Sequence, residues 1–429
     1  VIDLRLLRSD PAQVRAGLAR RGDASLGALV DELAALDERR RVRTGELDAL
    51  KAERNAAAKS DAHHVKGGTA LPPEVVEQRR ALGGRIAMLE ADLREIEGAL
   101  DAKALYVPNI PLPDLPDGDG SHNRVVRTWG ERRAAGSGLR PHWEIGERLG
   151  ILDLVRGAKV AGSGFPVLVG AGARLARSLI NFMIDLHVRE HGYVEVEPPF
   201  VVKRETMQGT GQVPKFEEDA YRTTPDDLFL VPTAEVPITN LHRDELLDAA
   251  RLPLAYVAYT PCFRREAGAA GKDTRGLLRV HQFDKVELVR FVRPADSPAE
   301  HEALTAHAET VLQRLGLPYR VVLLAAGDTG FASAKTYDLE AWAPGVEQWL
   351  EVSSASTFTD FQARRAGIRF RPAPGEKPQF VHTLNASGLA LPRTIAALLE
   401  AGQQADGTVA LPAALVPYVG ADRLTPGGA

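Results

Sequence analysis

Three stretches of this 429-residue chain carry side chains suited to charge chemistry. The densest runs Phe263-Arg264-Arg265-Glu266-Ala267-Gly268, through a Gly-rich loop, to Arg275-Gly276-Leu277-Leu278-Arg279-Val280-His281-Gln282-Phe283-Asp284-Lys285-Val286-Glu287. A guanidinium donates in a planar fork to phosphate or carboxylate. An aromatic ring one strand over offers a face for a base. Glu351-Val352-Ser353-Ser354 puts an acid and hydroxyls near a strand end, where they can hold a hard cation bridged to phosphates. In the third stretch, Gly388-Leu389-Ala390-Leu391-Pro392-Arg393 opens a helix with Ile395, Leu398 and Leu399 on one face. An Arg near a helix N-terminus suits a phosphate. Each stretch has a plainer reading when taken alone. An Arg-rich hairpin is more often a solvated ribbon, acid-and-serine tetrapeptides are common, and the third stretch reads as ordinary helix capping.

The elements that must position these groups follow one another irregularly. Residues 175–189 read as a helix ending at His191-Gly192, with Gly192 at a C′ position that needs positive φ. Residues 193–197, 228–232, 254–259, 280–292 and 319–324 read as strands, and 299–315 and 389–402 as helices. These are not alternating βαβ units, and neither G-x-x-x-x-G-K-[ST] nor G-x-G-x-x-G occurs. The pattern predicts an α+β domain on a largely antiparallel sheet, able to bind a nucleotide without a P-loop. Cys262 reads as core packing.

The first hundred residues differ. Leu26, Leu29, Leu33 and Leu36 follow 3-4-3 spacing, and the register reaches Leu47 and Leu50 past Arg40 and Arg43. Leu82, Ile86, Leu89, Leu93, Ile96 and Leu100 keep a heptad seam. Gly67-Gly68 and Pro72-Pro73 break any helix between the halves. Two helices of about 30 residues, each on the order of 45–50 Å long, form an antiparallel hairpin. A structural bundle and a projecting probe both fit it. His63 and His64 near its tip read as solvated loop residues. Residues 106–120 read as a stiff linker rich in Pro, Asp and Gly, which divides the chain into an arm (1–105) and a larger domain (121–429).

Composition narrows the classes. Lys plus Arg is 53 and Asp plus Glu is 57, a net charge of −4, which argues against a globally basic nucleic-acid coat but not against a local basic surface. The single cysteine excludes a disulfide framework and every multi-Cys zinc site. With no apolar run of membrane length and no signal-like N-terminus, the expected compartment is intracellular.

Together the motifs resemble those of class II aminoacyl-tRNA synthetases. Arg264–Glu266 with its loop resembles motif 2, Gly388–Arg393 resembles motif 3, and His191-Gly192-Tyr193 up to Pro199 resembles motif 1, the dimer element. Thr233-Ala234-Glu235-Val236-Pro237, Gly271-Lys272-Asp273-Thr274-Arg275-Gly276, His281 through Glu287, and Thr359-Asp360-Phe361-Gln362-Ala363-Arg364-Arg365 narrow this to the bacterial-type seryl-tRNA synthetases. The N-terminal hairpin is similar to that family's tRNA-binding arm, so the resemblance covers essentially the whole chain.

The resemblance implies an α+β class II catalytic domain that activates L-serine with ATP and passes the seryl group to serine tRNA, and to selenocysteine tRNA. It implies a cytoplasmic homodimer with no membrane contact, using ATP and Mg²⁺ and no zinc. It assigns ATP to Arg264, Arg265, Glu266, Val280, Phe283, Glu351, Val352, Ser353, Ser354 and Arg393. Within that set Arg264 and Arg393 are catalytic, and Glu351 and Ser354 hold Mg²⁺. It assigns serine to Thr233, Ala234, Glu235, Arg264, Glu287 and Ser387. Glu287 would reject alanine and glycine by being left unpaired. The chain departs from the family's common Ser-Ser-Cys-Ser-Asn-Phe at Ala355 and Thr357, near the expected metal and substrate floor. That departure fits a specialised or inhibitor-resistant copy as well as a housekeeping one. Two other readings stay open: a tRNA-independent relative that loads a carrier, which would lack the arm, and a non-catalytic binding protein, which would have lost Arg264, Glu351 or Arg393.

Overall fold

The computed structural model describes residues 2–66, 71–133, 138–267 and 275–427. The chain forms two compact units: Val1–Ala19 with Asp23–Pro108, and Arg20–Gly22 with Asn109–Ala429. Among the described residues no helix is long and apolar enough to cross a membrane.

The first unit holds α1 (Leu4–Ser9), α2 (Pro11–Ala19), α3 (Ser25–Lys66) and α4 (Pro73–Ala104). The helices α3 and α4 pair as the leucine spacing predicts. Leu47, Leu50, Leu82 and Ile86 form one buried cluster with Leu89 and Leu93 against it. The two arginines that interrupt the seam are neutralised rather than buried. Arg40 Nη2 lies 3.0 Å from Asp37, which Arg8 also grips through Nε and Nη2 at 2.6 and 2.7 Å. Arg43 bridges to Asp92 on α4 at 2.8 Å. The helix α3 runs to Lys66, past the point where a loop was expected, so the backbone at His63 and His64 is helical. Their side chains, and residues 67–70, lie outside the described residues.

In the second unit the residues read as a linker are pinned down from Asn109 onward. Asn109 N–H donates to Phe331 O at 2.9 Å, and Leu112 N–H to Ala334 O at 2.9 Å. Among the described residues the main sheet has eight strands. They are β1 (Arg124–Trp129), β2 (Val194–Glu195), β3 (Leu254–Phe263), β4 (Gln282–Val292), β5 (Tyr319–Leu323), β6 (Lys335–Ala343), β7 (Gln348–Thr357) and β8 (His382–Ala390). Their spatial order is β1-β5-β6-β7-β8-β4-β3-β2. Neighbours run antiparallel except β2 and β3, which are parallel, so the sheet is mixed.

Helices cover one face of this sheet. They include α5 (His142–Leu149), α6 (Ala171–His191), α7 (Ser297–Arg314) and α8 (Leu391–Gly402). Leu175, Leu179 and Met183 of α6 and Leu304 and Leu312 of α7 are fully buried with Val286, Leu288 and Leu384 of the sheet. Each such side chain contributes about 1.5–3 kcal/mol on burial. Gly192 ends α6 at φ 72°, the left-handed C′ position its sequence predicts. Alternation along β4 then decides the other face. With Val286 and Leu288 in the core, Lys285 and Glu287 must point away from it.

Candidate active site

On that other face lies a cavity of about 690 Å³. Arg264, Glu266, Val280, Phe283, Glu351, Val352, Ser353, Ser354, Arg393, Thr233, Glu235, Glu287 and Ser387 all line it. Arg265 and Ala234 do not. Arg265 is exposed, its amide bonded to Asp219 O at 2.8 Å, and Ala234 is buried in a neighbouring core. In both places the next residue points the other way along an extended or turning backbone. Gly271–Thr274, part of one quoted motif, lie outside the described residues.

Two strand bulges bring the charged groups together. Glu351 and Ser354 are three apart, so a regular strand would aim them at opposite faces. Between β6 and β7 the pairing passes from Leu339↔Ser353 to Glu340↔Glu351, leaving Val352 as an extra residue. The parity flips, and Glu351 Oε1 comes 3.3 Å from Ser354 Oγ. The same happens at Gly388, where the partners pass from Ser387↔Glu287 to Leu389↔Val286. Ser387 thus stands beside Glu287, and Ser353 Oγ donates to Ser387 O.

At one end the site is cationic. Arg264 follows β3 and its guanidinium lies 5.2 Å from the Phe283 ring centre, with Nε donating to Pro232 O at 3.3 Å. Arg393, in the first turn of α8, donates to Leu278 O at 3.1 Å and to Glu351 O at 2.8 Å. Glu266 is paired with Arg279. Ser354 donates its hydroxyl hydrogen to Asp338 at 2.6 Å, which leaves its oxygen lone pairs for a cation. Burial and the Glu351 charge hold the Asp338 carboxyl well above its ordinary range. Glu351 and Ser354 are hard oxygen donors, and two protein oxygens fit a cation whose other ligands are phosphates and water.

At the other end the site is a buried acid pair. Glu287 Oε2 accepts from Thr233 Oγ1 at 3.1 Å and is also paired with Lys285, which donates to Thr233 Oγ1 at 2.8 Å. Glu235 is held by Gln362 Nε2 at 2.6 Å, and Gln362 in turn by Thr383 at 2.7 Å. Burial first, then the Glu287 charge, pushes Glu235 up to about 7. Lys285, Asp338 and Asn385, which also lines the cavity, were not singled out from sequence. Lys285 changes the expectation for Glu287, because this carboxylate already has partners in the free protein.

The two departures at Ala355 and Thr357 lie off the cavity. Ser354, Ser356 and Phe358 line it, while Ala355 sits in the core on the opposite face and Thr357 is buried beside Ser297, 3.3 Å away. They are repacking under the sheet rather than changes to the substrate floor.

Residues 215–402 match the model of the tRNA synthetase class II core domain (G, H, P, S and T), and residues 1–111 match the seryl-tRNA synthetase N-terminal domain. A serine–tRNA ligase of Gemmatimonas aurantiaca is 58% identical over 97% of this chain and 98% of its own length. The chain belongs to the seryl-tRNA synthetase family. A second relative, the serine–tRNA ligase of Pelotomaculum thermopropionicum, is 54% identical over 98% of this chain and 99% of its own. Among solved structures, a seryl-tRNA synthetase of Pyrococcus horikoshii complexed with ATP superposes with a TM-score of 0.94 at 39% identity, covering 99% of this chain and all of that one. Seryl-tRNA synthetase membership also accounts for the mixed sheet flanked by helices and for the long helical N-terminal unit.

Proposed function

We propose that this enzyme is a serine–tRNA ligase. ATP and L-serine react to seryl-adenylate and pyrophosphate, and the seryl group then passes to the 3′-terminal adenosine of serine tRNA and, by the same chemistry, of selenocysteine tRNA. The observation that carries this is the gathering of Arg264, Arg393, Glu351, Glu235 and Glu287 round one cavity. Arginines stand at one end of it and a buried acid pair at the other.

The residues divide the work. Arg264 spans the α-phosphate and the serine carboxylate, Phe283 offers its ring to adenine beside Glu266 and Val280, and Arg393 takes the γ-phosphate. Glu351 and Ser354 would hold Mg²⁺, which when bound offsets charge between phosphate oxygens. Thr233 and Glu235 receive the serine ammonium, and the serine hydroxyl meets Glu287 beside Ser387. Thr233 and Lys285 both meet Oε2 of Glu287, so the hydroxyl goes to Oε1. Acceleration then comes from positioning and from fixed charge, not from a general acid or base. In this reading the enzyme works in the cytoplasm as a homodimer, paired through the segment His191 to Pro199 that resembles motif 1. The helical arm supports the tRNA reading over a carrier-loading one.

Serine-dependent exchange of pyrophosphate into ATP, followed by charging of serine tRNA, tests the assignment. No exchange with serine removes it, and exchange without charging favours carrier loading. The pH dependence has a set sign. A bound ammonium favours ionised Glu235, so serine binding strengthens as pH rises through about 7. The free protein loses stability as pH rises from the ordinary carboxylate range up to about 7, because there the unfolded chain has already released the proton that burial keeps on Glu235, and the loss levels off above it. Between pH 6 and pH 8 the KM for serine is expected to fall about tenfold, with the KM for ATP steady. A flat serine KM across this range would contradict the role given to Glu235.

A further inference from the structure

One fully buried polar pair lies behind the cavity and touches neither nucleotide nor serine in the assignment above. His142, the first residue of α5, and Glu400, in the last turn of α8, are both 0% exposed. Glu400 is saturated with donors. Its Oε1 accepts from His142 N at 2.9 Å and stands 2.8 Å from His142 Nδ1, and its Oε2 accepts from Gly345 N at 2.8 Å and Val346 N at 3.1 Å. The other imidazole nitrogen is also used, for Leu277 N–H donates to His142 Nε2 at 3.0 Å. A backbone N–H only donates, so Nε2 must be the acceptor and Nδ1 must carry the hydrogen given to Glu400. The ring is therefore held as one neutral tautomer.

What this bond holds is the cavity wall. Leu277, Leu278 and Val280 line the cavity, and Leu278 O accepts from Arg393 Nε at 3.1 Å. Arg393 and Glu400 belong to the same helix, about two turns apart. One helix thus fixes two consecutive residues, Leu278 directly through Arg393 and Leu277 through Glu400 and His142. Gly276 sits at φ 68°, and a Cβ there would collide with His142 Nε2, so the approach has no slack.

We propose that His142, oriented by Glu400, is a positioning residue for nucleotide binding, anchoring the Leu277 peptide so that Leu278 and Arg393 stand where the phosphates and base require them. This rests on the reading of the cavity as the ATP site. It predicts an effect on ATP and not on serine, because Thr233, Glu235 and Glu287 are held by other elements.

Two full-length variants separate positioning from bulk. The amide of His142→Asn can replace Nδ1–H toward Glu400 but leaves nothing at the Nε2 position. His142→Gln extends an acceptor toward Leu277 and gives up the bond to Glu400. In serine-dependent pyrophosphate exchange, His142→Asn is expected to raise the KM for ATP roughly tenfold, the weight of one buried hydrogen bond, with the KM for serine within about twofold of wild type. His142→Gln is expected to stay within about threefold for ATP. Equal ATP KM values in wild type and His142→Asn, equal rises in both variants, or a matching rise in the serine KM overturns the proposal. If His142→Asn does not fold, Gly276→Ala presses on the same contact from the other side, and an unchanged ATP KM there overturns it equally. Wild-type protein without serine-dependent exchange would sink the functional reading instead. Calorimetric ATP binding by the same proteins then tests the anchor alone, with the same order of affinities expected and any other order refuting it.

Discussion

Arg264→Ala is expected to slow serine-dependent pyrophosphate exchange by about 10³- to 10⁵-fold, the range seen when an arginine that meets a reacting phosphoryl group is removed. Arg264 is the group shared by both substrates in the assigned site, since its cation lies 5.2 Å from the Phe283 ring and bonds to Pro232 O, the residue next to Thr233 at the acid end. Its loss removes stabilisation where charge develops and also removes the clamp that aligns the serine carboxylate with the α-phosphate. Arg264→Lys keeps the charge and discards the planar fork, so it should recover only a small part of the rate. Thermal melting should change little, because among the described residues the guanidinium bonds to one carbonyl, Pro232 O, and otherwise meets the Phe283 ring. A loss smaller than about tenfold at saturating substrates would falsify the role.

The second large effect concerns the arm. Excising residues 44–91 and closing the gap with a short Gly-Ser turn is expected to leave pyrophosphate exchange near wild type while charging of serine tRNA falls below detection. The cut is chosen from contacts. Arg43 and Asp92 face each other at 2.8 Å, so the stumps already lie side by side. The buried Asp37 keeps Arg8 and Arg40, while Leu47, Leu50, Leu82 and Ile86 leave as a set. An arm that reads RNA by shape and backbone contributes to docking and not to adenylate chemistry. Charging that survives the excision means the arm has another purpose. Exchange lost along with charging means the cut damaged the catalytic unit.

What could be read in advance follows from periodicity. The heptad seam from Leu82 to Leu100 and the alternation of residues 280–292 announce their elements because nothing interrupts the period, and the first half of the arm stays legible past Arg40 and Arg43. The sequence places Glu351 to Ser354 near a strand end but does not delimit the strands Gln348–Thr357 and His382–Ala390, and each contains a bulge. An extra residue breaks a period of two, so Trp-Leu-Glu-Val-Ser-Ser shows no clean alternation. The helix expected from residue 389 begins at Leu391 for the same reason, since Leu389 and Ala390 finish the bulged strand. Among site residues, those in local motifs were accessible. Lys285 was passed over although it sits two residues from Glu287, because only the fold shows both on one face with Thr233. Gln362 holds Glu235 across 127 residues, and Glu400 meets His142 across 258. Such pairings leave no trace in spacing.

The bulge at Val352 also says which changes this part of the molecule tolerates. Side-chain identity there is forgiving in principle, since Val352 fills the core and a similar apolar residue serves. The pairing register is not. If all the residues were kept and the ladder ran straight through without the bulge, Glu351 and Ser354 would fall three apart on a regular pleat, and Glu351 would swing round to the helix-covered side with every functional residue still present in the sequence. For this strand the register carries information that no comparison of residue types, position by position, would reveal.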